Sequence, residues 1–276
     1  MKQISIIILD FLKSKRVVKN IDYIMKQKVD FDIQIIIADN SNNAENRKNL
    51  ETLKKYKNVT LIFNKTNLGY TKAHNVAAKK ATGDYIFIVN PDILIKDQGT
   101  LQKLVDFMER HKNIAILGPK QIDDDVNKVA MTVRAFPKLS LQFARRTSLR
   151  NWPLIKKWVA YDEMRHLDYN KTQDVEWLQS SFIVVRRDFW EEVGGLEEKY
   201  FLFMSDPEIC WQAWKRKKRV VYYPEVKVYA DGIRCSAGGI KTFFKKWTMQ
   251  QHLKDSFKYR LRHIFRGNPF KKYKNK

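Results

Sequence analysis

Four short apolar runs, at residues 4–9, 33–38, 59–63 and 85–89, limit what this chain can fold into. Each is continuous rather than alternating, the pattern of a strand covered on both faces. The segments between them carry helical spacing. Residues 14–28 place Val17, Val18, Ile21, Ile24 and Met25 on one face; 44–56 and 71–81 read as further helices. Strand, helix, strand, four strands deep, predicts an α/β fold with a doubly wound, mostly parallel sheet. In such sheets ligands bind beyond the carboxyl ends of the strands. Here those ends hold Asp10, Asp39-Asn40, Asn64 and Asn90-Pro91-Asp92, which points to one crevice.

The second half is less regular. A helix is predicted over 101–110, a strand over 114–117 ending at Gly118-Pro119, and a hairpin tip at Asp123-Asp124-Asp125. Residues 136–169 are basic and weakly patterned. A strand over 175–186, a helix over 188–193 ended by Gly194-Gly195, a helix over 207–219 and a strand over 220–223 follow.

The motifs have competing readings at this stage. Asn90-Pro91-Asp92 interrupts the apolar stretch YIFIVNPDILI. A proline there ends ladder hydrogen bonding, and the carboxylate after it can serve a hard divalent cation or cap an ordinary turn. Asp39 can accept from a base or ribose, or cap its own turn. In NLGY, residues 67–70, a loop glycine before a helix lets backbone amides approach a phosphate. His74 is a lone helical histidine. In FLFMSDPEICW, Asp206 and Glu208 open a helix, so they fit helix capping and also presentation of a general base. WKRKKRV, residues 214–220, reads as a solvated helix end. No P-loop, dinucleotide fingerprint, zinc spacing or nucleic-acid-binding motif is present.

The formal net charge of +23 calls for an anionic partner. About half of it lies in residues 241–276, with twelve Lys or Arg against the single acid Asp255. There, Phe243, Trp247, Leu253, Phe257, Leu261, Ile264 and Phe265 recur at mainly helical spacing between the cations. That basic amphipathic pattern suits an anionic membrane surface, or a helix packed on the core with a solvated basic face. The opening MKQISIIILDF reads as a first strand rather than a leader, and no apolar run approaches the roughly 18–20 residues of a membrane span. Cys210 and Cys235 are expected as reduced thiols, and the chain as cytoplasmic, held peripherally at the inner face of the cell membrane.

Taken in order, IIIADNS, NLGYTKAHNVAAKKATGDYIFIVNPDILI and VEWLQSSFIVVRRDFWEEVGGLEEKYFLFMSDPEICWQAWKRKKRVVYYP resemble the inverting glycosyltransferases of family 2. The most similar branch is the rhamnosyltransferase-like enzymes of bacterial surface polysaccharide synthesis. The resemblance spans roughly residues 4–231. It implies a GT-A fold over 1–239, with a nucleotide-sugar-binding half (1–98) and an acceptor and catalytic half (99–239), followed by the basic segment 240–276. It implies donor contacts at Asp10, Asp39, Asn67, Gly69, Asn75 and Asn90, and a Mg²⁺ or Mn²⁺ ion held by Asp92. Asp206 stands at the position of the catalytic base, with Trp177 and Glu208 on the acceptor side. The implied partners are a nucleotide sugar and a glycan or lipid-linked acceptor, not nucleic acid. The branch points to dTDP-L-rhamnose as donor, with a UDP-hexose as the alternative.

Three positions depart from the family pattern. Ser205 replaces the Glu of the Glu-Asp pair, Asn90 the first Asp of Asp-x-Asp, and the His after the last core strand is missing from VYADGIRCSAG. Asp231 as a replacement metal ligand, or Arg234 as a diphosphate contact, would compensate. The competing classes are a basic nucleic-acid-binding protein, which gives no reason for acids and amides at successive strand ends, a nucleotidyltransferase on a similar sheet, whose Gly-rich, Arg-containing opening loop is absent after residues 4–9, and an inactive relative of the same fold.

Overall fold

A computed structural model describes residues 2–138, 141, 144, 147–230 and 247–275. Asp231, Arg234 and Cys235, with the roles expected of them, lie outside the described residues.

The first half forms as its pattern predicts. Strands β1 (Gln3–Asp10), β2 (Asp32–Asp39), β3 (Val59–Phe63) and β4 (Tyr85–Val89) are joined by helices α1 (Ser14–Ile24), α2 (Ala44–Glu51) and α3 (Gly69–Ala78). They lie parallel in the order β3-β2-β1-β4, with Asp10 beside Asp39 in register. Ile4, Ile6 and Ile8 face one core layer and Ile7 the other, which is why the run is apolar throughout.

The rest corrects "mostly parallel". Two-residue β5 (Ile93–Leu94) and helix α4 (Thr100–Arg110) lead to β6 (Ile114–Asp123). A hairpin through the Asp124 turn, with Asn127 in the left-handed region at φ 46°, returns β7 (Lys128–Val129) antiparallel on β6. Beyond β4 the sheet runs β11 (Phe182–Arg186), β6, β12 (Arg219–Ala230), β5. β11 is antiparallel to both β4 and β6, while β12 is parallel to β6. The sheet is therefore mixed.

β6 does not stop at Gly118-Pro119. A register shift in β12 between Tyr223 and Lys227 lies opposite Pro119, so the strand passes the missing donor at an irregularity. The single strand expected over 175–186 is two pieces, β10 (Trp177–Leu178) on β8 (Val133–Arg134), and β11; just before them β9 (Gln173–Asp174) pairs with β12.

Helix α5 (Pro153–Asp162) occupies the basic middle region, and α6 (Arg187–Val193) ends at Gly194 with φ 76°. Helix α7 (Ser205–Lys215) starts two residues earlier than expected and carries Asp206. In the C-terminal segment, α8 (Trp247–His263) and α9 (Pro269–Lys274) pack against α7: His263 lies on Trp211, and Phe270 and Tyr273 lie on Trp214.

Candidate active site

The carboxyl ends of β1, β2 and β4 and the start of β11 meet at one edge. Asp10 is fully buried and accepts from the Lys13 amide at 2.9 Å and from Asn46 Nδ2 at 2.5 Å. Burial, opposed by these bonds and reinforced by the nearby Asp39 charge, raises its pKa. Asn46 Nδ2 also reaches Asp39 Oδ1 (3.2 Å), which accepts from the Ser41 amide at 2.8 Å. One amide thus holds two adjacent carboxylates at the strand ends.

Next to them an asparagine network orders the loop. Asn40 Nδ2 donates to Asn67 Oδ1 (3.2 Å) and to the Gly69 carbonyl (3.0 Å), Asn64 Nδ2 donates to Asn40 Oδ1 (2.8 Å), and the Gly69 amide donates to Asn67 Oδ1 (2.9 Å). Gly69 has a further constraint that its sequence context does not show. Its φ is +78°, and a Cβ there would sit 2.5 Å from the Phe201 carbonyl oxygen. The glycine is where the 67–70 loop meets the segment carrying Asp206. Gly69→Ala is expected to cost about 2 kcal/mol or more through backbone strain and overpacking. Denaturant titration with a donor KM measurement checks this, and an unchanged midpoint would refute it.

Asn90-Pro91-Asp92 forms the turn between β4 and β5. Pro91 is buried while Asn90 and Asp92 keep partial exposure. Asn20, from α1, holds the turn by donating to the carbonyls of Asn90 (3.1 Å) and Ile93 (2.6 Å). Its place on the apolar face of α1, one residue before Ile21, was the available sequence signal. Pairing of β5 with β12 sets Ala230 opposite Ile93, the residue after Asp92.

Because β11 is antiparallel to β4, its start lies beside the end of β4, and the Asn90 amide donates to the Ser181 carbonyl at 2.8 Å. Ser180 then connects three parts of the molecule. Tyr70 O–H donates to Ser180 Oγ (2.6 Å), and Ser180 O–H donates to Asp206 Oδ1 (2.6 Å). Ser205 O–H adds a second donor to the same oxygen at 3.1 Å. Burial raises the Asp206 pKa, and these hydroxyls only partly oppose it. Tyr70 is held protonated by burial and by the charges of Asp206 and Asp92, so both carboxylates act on one phenol. Tyr70 and Ser180 were not singled out from sequence, since nothing in a lone Tyr or Ser marks a hydrogen-bonded chain.

Asp206 is not a helix cap: it lies inside the first turn of α7, whose N-cap is Met204 in the left-handed region at φ 70°. The preceding segment is fixed from outside. Fully buried Asp255 of α8 accepts from the amides of Phe201 (3.3 Å), Leu202 (3.0 Å) and Phe203 (2.9 Å). As the only acid in a basic segment, Asp255 was the clearest unused signal in the sequence.

Other expected site residues are committed elsewhere. Asn75 Nδ2 donates to the Leu196 carbonyl (2.8 Å) and Glu198 (3.0 Å), and its Oδ1 accepts from the Leu196 amide (2.9 Å), so it fastens α3 to the turn after α6. Glu208 is buried, accepting from His263 Nε2 (2.6 Å), Gln212 Nε2 (2.7 Å) and Tyr200 O–H (3.2 Å), with Arg262 Nε at 3.3 Å. Burial alone would raise its pKa, but those hydrogen bonds and the charges of His263 and Arg262 lower it. Both oxygens of Glu208 tie α7 to α8. Trp177 is partly exposed, with Nε1 donating to the Ala135 carbonyl at 2.7 Å. His74 is buried and its pKa is pushed down to about 4, while Nδ1 meets the Tyr70 carbonyl at 2.8 Å; it is a neutral packing residue.

Among the described residues no group of three or more His, Cys, Asp or Glu side chains is arranged to hold a metal. Asp92 with Asn90 still fits a Mg²⁺ or Mn²⁺ ion of the kind bound by one or two side chains and completed by substrate phosphates. Both stand partly exposed on the turn Asn20 holds.

The fold is that of the GT-A glycosyltransferases. A mannosyltransferase from Pyrobaculum calidifontis, solved with GDP-Man and Mn²⁺, superposes with a TM-score of 0.60 at 14% identity, over 84% of this chain and 58% of that one. Residues 5–191 match Glycosyl transferase family 2, and the chain belongs to that family. The N-acetylglucosaminyl-diphospho-decaprenol L-rhamnosyltransferase of Mycobacterium tuberculosis is 28% identical over 207 residues, covering 71% of this chain and 66% of that protein. The rhamnosyltransferase WbbL of Escherichia coli is 26% identical over 182 residues, 66% of this chain and 63% of that protein. The chain thus spans just under two thirds of the length of either relative.

Proposed function

We propose that this chain is an inverting glycosyltransferase that moves a sugar from a nucleotide-sugar donor, dTDP-L-rhamnose, to a hydroxyl of a glycan or lipid-linked glycan acceptor in bacterial surface polysaccharide synthesis. The observation that carries this reading is Asp206: one carboxylate of raised pKa, oriented by Ser180 and Ser205, beside the edge that bears Asn90 and Asp92. The rhamnosyltransferase relatives support the choice of donor sugar.

In the mechanism, the donor base meets Asp39 and the diphosphate lies along the loop of Asn67 and Gly69. Asp92 and Asn90 would hold the divalent cation, which when bound neutralises the leaving diphosphate. Asp206 takes the proton of the acceptor hydroxyl as that oxygen attacks the anomeric carbon from the face opposite the diphosphate. The C–O bond to the diphosphate breaks as the new one forms, so one displacement inverts the centre. A single base suffices, unlike the carboxylate pair of a glycosidase. Tyr70 and Ser180 keep Asp206 in place. The partly exposed indole of Trp177 offers a flat apolar face to an acceptor sugar ring.

Membrane attachment belongs to the same reading. Among the described residues no helix is long and apolar enough to cross a membrane. Helix α8 instead buries Met249, Asp255, Tyr259 and His263 and leaves Leu253, Phe257 and Leu261 exposed beside Lys254 and Lys258. A lipid-linked acceptor is reached most directly by an enzyme held at the bilayer surface through such a face.

A thermal-shift and product-release screen of dTDP, UDP and GDP sugars, with and without Mg²⁺ or Mn²⁺, tests the proposal. The expected result is a metal-dependent stabilisation by dTDP-L-rhamnose that Asp92→Ala abolishes. A shift with a UDP-hexose alone would reassign the donor, and no shift with any nucleotide sugar would remove the enzymatic reading.

A further inference from the structure

Two helices far apart in sequence carry the same kind of surface. Along α5 and the residue before it, Trp152 is 61%, Leu154 70%, Trp158 60% and Tyr161 41% exposed. Lys156 and Lys157 stand exposed among them, and no acid occurs between Trp152 and Tyr161. The acids that follow, Asp162 and Glu163, are buried. At α8 and just past its end, Phe257 is 59%, Leu261 58%, Ile264 50% and Phe265 97% exposed, and the one acid of the helix, Asp255, is fully buried. Both surfaces therefore present apolar groups and cations, and neither helix exposes a carboxylate.

The chain beyond α8 reaches α5. Lys271 of α9 lies over the Tyr161 ring, 5.6 Å from its centroid, and Tyr161 and Asp162 share a small cavity with Asn268 and Lys271. Asn268 is three residues beyond Phe265. α5 is also joined to the acceptor side: the Asp162 carbonyl accepts from the Ala135 amide at 3.1 Å, and the Ala135 carbonyl accepts from Trp177 Nε1.

Exposed apolar residues scattered singly need no explanation, whereas adjoining clusters rimmed by one charge sign do. A nucleic acid would satisfy the lysines and stack on the indoles, yet leave Leu154, Leu261, Ile264 and Phe265 in water. A bilayer with anionic lipids accommodates both: aliphatic and aromatic side chains enter the acyl boundary, indoles sit at headgroup depth, and lysines meet phosphates. We infer that α5 and α8 form one docking face for an anionic bilayer, so that the protein is held by two helices from different parts of the chain. The inference rests on the membrane reading of α8 given above and adds α5 to it. Two attachment lines fix an orientation as well as a distance, and the second line leads through Ala135 to Trp177.

Flotation with vesicles of phosphatidylcholine, with and without phosphatidylglycerol, tests this. Wild type is expected to float with the anionic vesicles only. Trp152→Ser with Trp158→Ser, and separately Phe257→Ser with Leu261→Ser, should each lower the partition coefficient about tenfold or more. Lys156→Glu with Lys157→Glu, which touches no buried contact, should do the same, and thermal melts check that each variant is folded. If both α5 variants float like wild type while the α8 variant does not, the inference for α5 is overturned and the membrane reading of α8 stands. If wild type ignores anionic vesicles, or binds an oligonucleotide more tightly, both are overturned.

Discussion

Asp206→Asn is expected to leave a folded protein that still binds nucleotide sugar but transfers it roughly 10²–10⁴-fold more slowly, the range for removing a positioned general base. The amide keeps an oxygen to accept from Ser180 and Ser205 and loses only the capacity to take a proton. The pH profile carries the same information. Burial raises the Asp206 pKa, so kcat/KM should fall with acidification through a limb above the ordinary carboxylate range, and the variant should lack that limb. Stability runs the other way. With the folded pKa above the unfolded one, the unfolded state holds fewer protons between the two, and stability falls as pH rises through that window. At neutral pH the ionised carboxylate therefore costs stability. Asp206→Asn should melt at or above the wild-type temperature there, with the difference vanishing in acid. A variant that keeps wild-type turnover would transfer the base role to another residue.

Asp255→Ala has the second large expected effect. It removes the acceptor of three consecutive backbone amides, and each amide left without a partner costs about 1–3 kcal/mol, so a loss of about 3 kcal/mol or more is expected. Those amides belong to residues 201–203, just before Met204 in its left-handed conformation and Asp206. A freed segment lets Met204 relax, so kcat should fall well beyond what the fraction unfolded explains. Asp255→Asn retains one acceptor oxygen and should recover part of both. Chemical denaturation with steady-state kinetics separates these outcomes. Loss of stability with unchanged kcat in the folded fraction would show that Asp255 only packs α8.

The first four strands were legible because a strand covered on both faces must be apolar along its whole length. The later ones were not, because their continuity depends on partners. Pro119 sits within β6 only because β12 shifts register beside it, and Ser180-Ser181 divides an apparently continuous run so that β10 and β11 join different sheets. At the site, strand order brings Asp10, Asp39 and Asn90 to one edge, as sequence predicts. Asn75 and Glu208 show the limit. A polar residue in a promising motif carries no mark of whether its hydrogen bonds are spent inside the protein, and theirs are spent on the 195–198 turn and on α8. Conversely, Ser180 is ordinary in sequence and gains meaning from Tyr70 and Asp206, 110 and 26 positions away.

The grip of Asp255, Arg262 and His263 on the segment around Asp206 also bears on the order of synthesis. The four parallel strands emerge from the ribosome first. The base emerges later, and its fastening later still, on a helix that ends at residue 263. On the function proposed above, a nascent chain would lack the fastening of its base until α8 had been made, so transfer would wait for the last helix to pack.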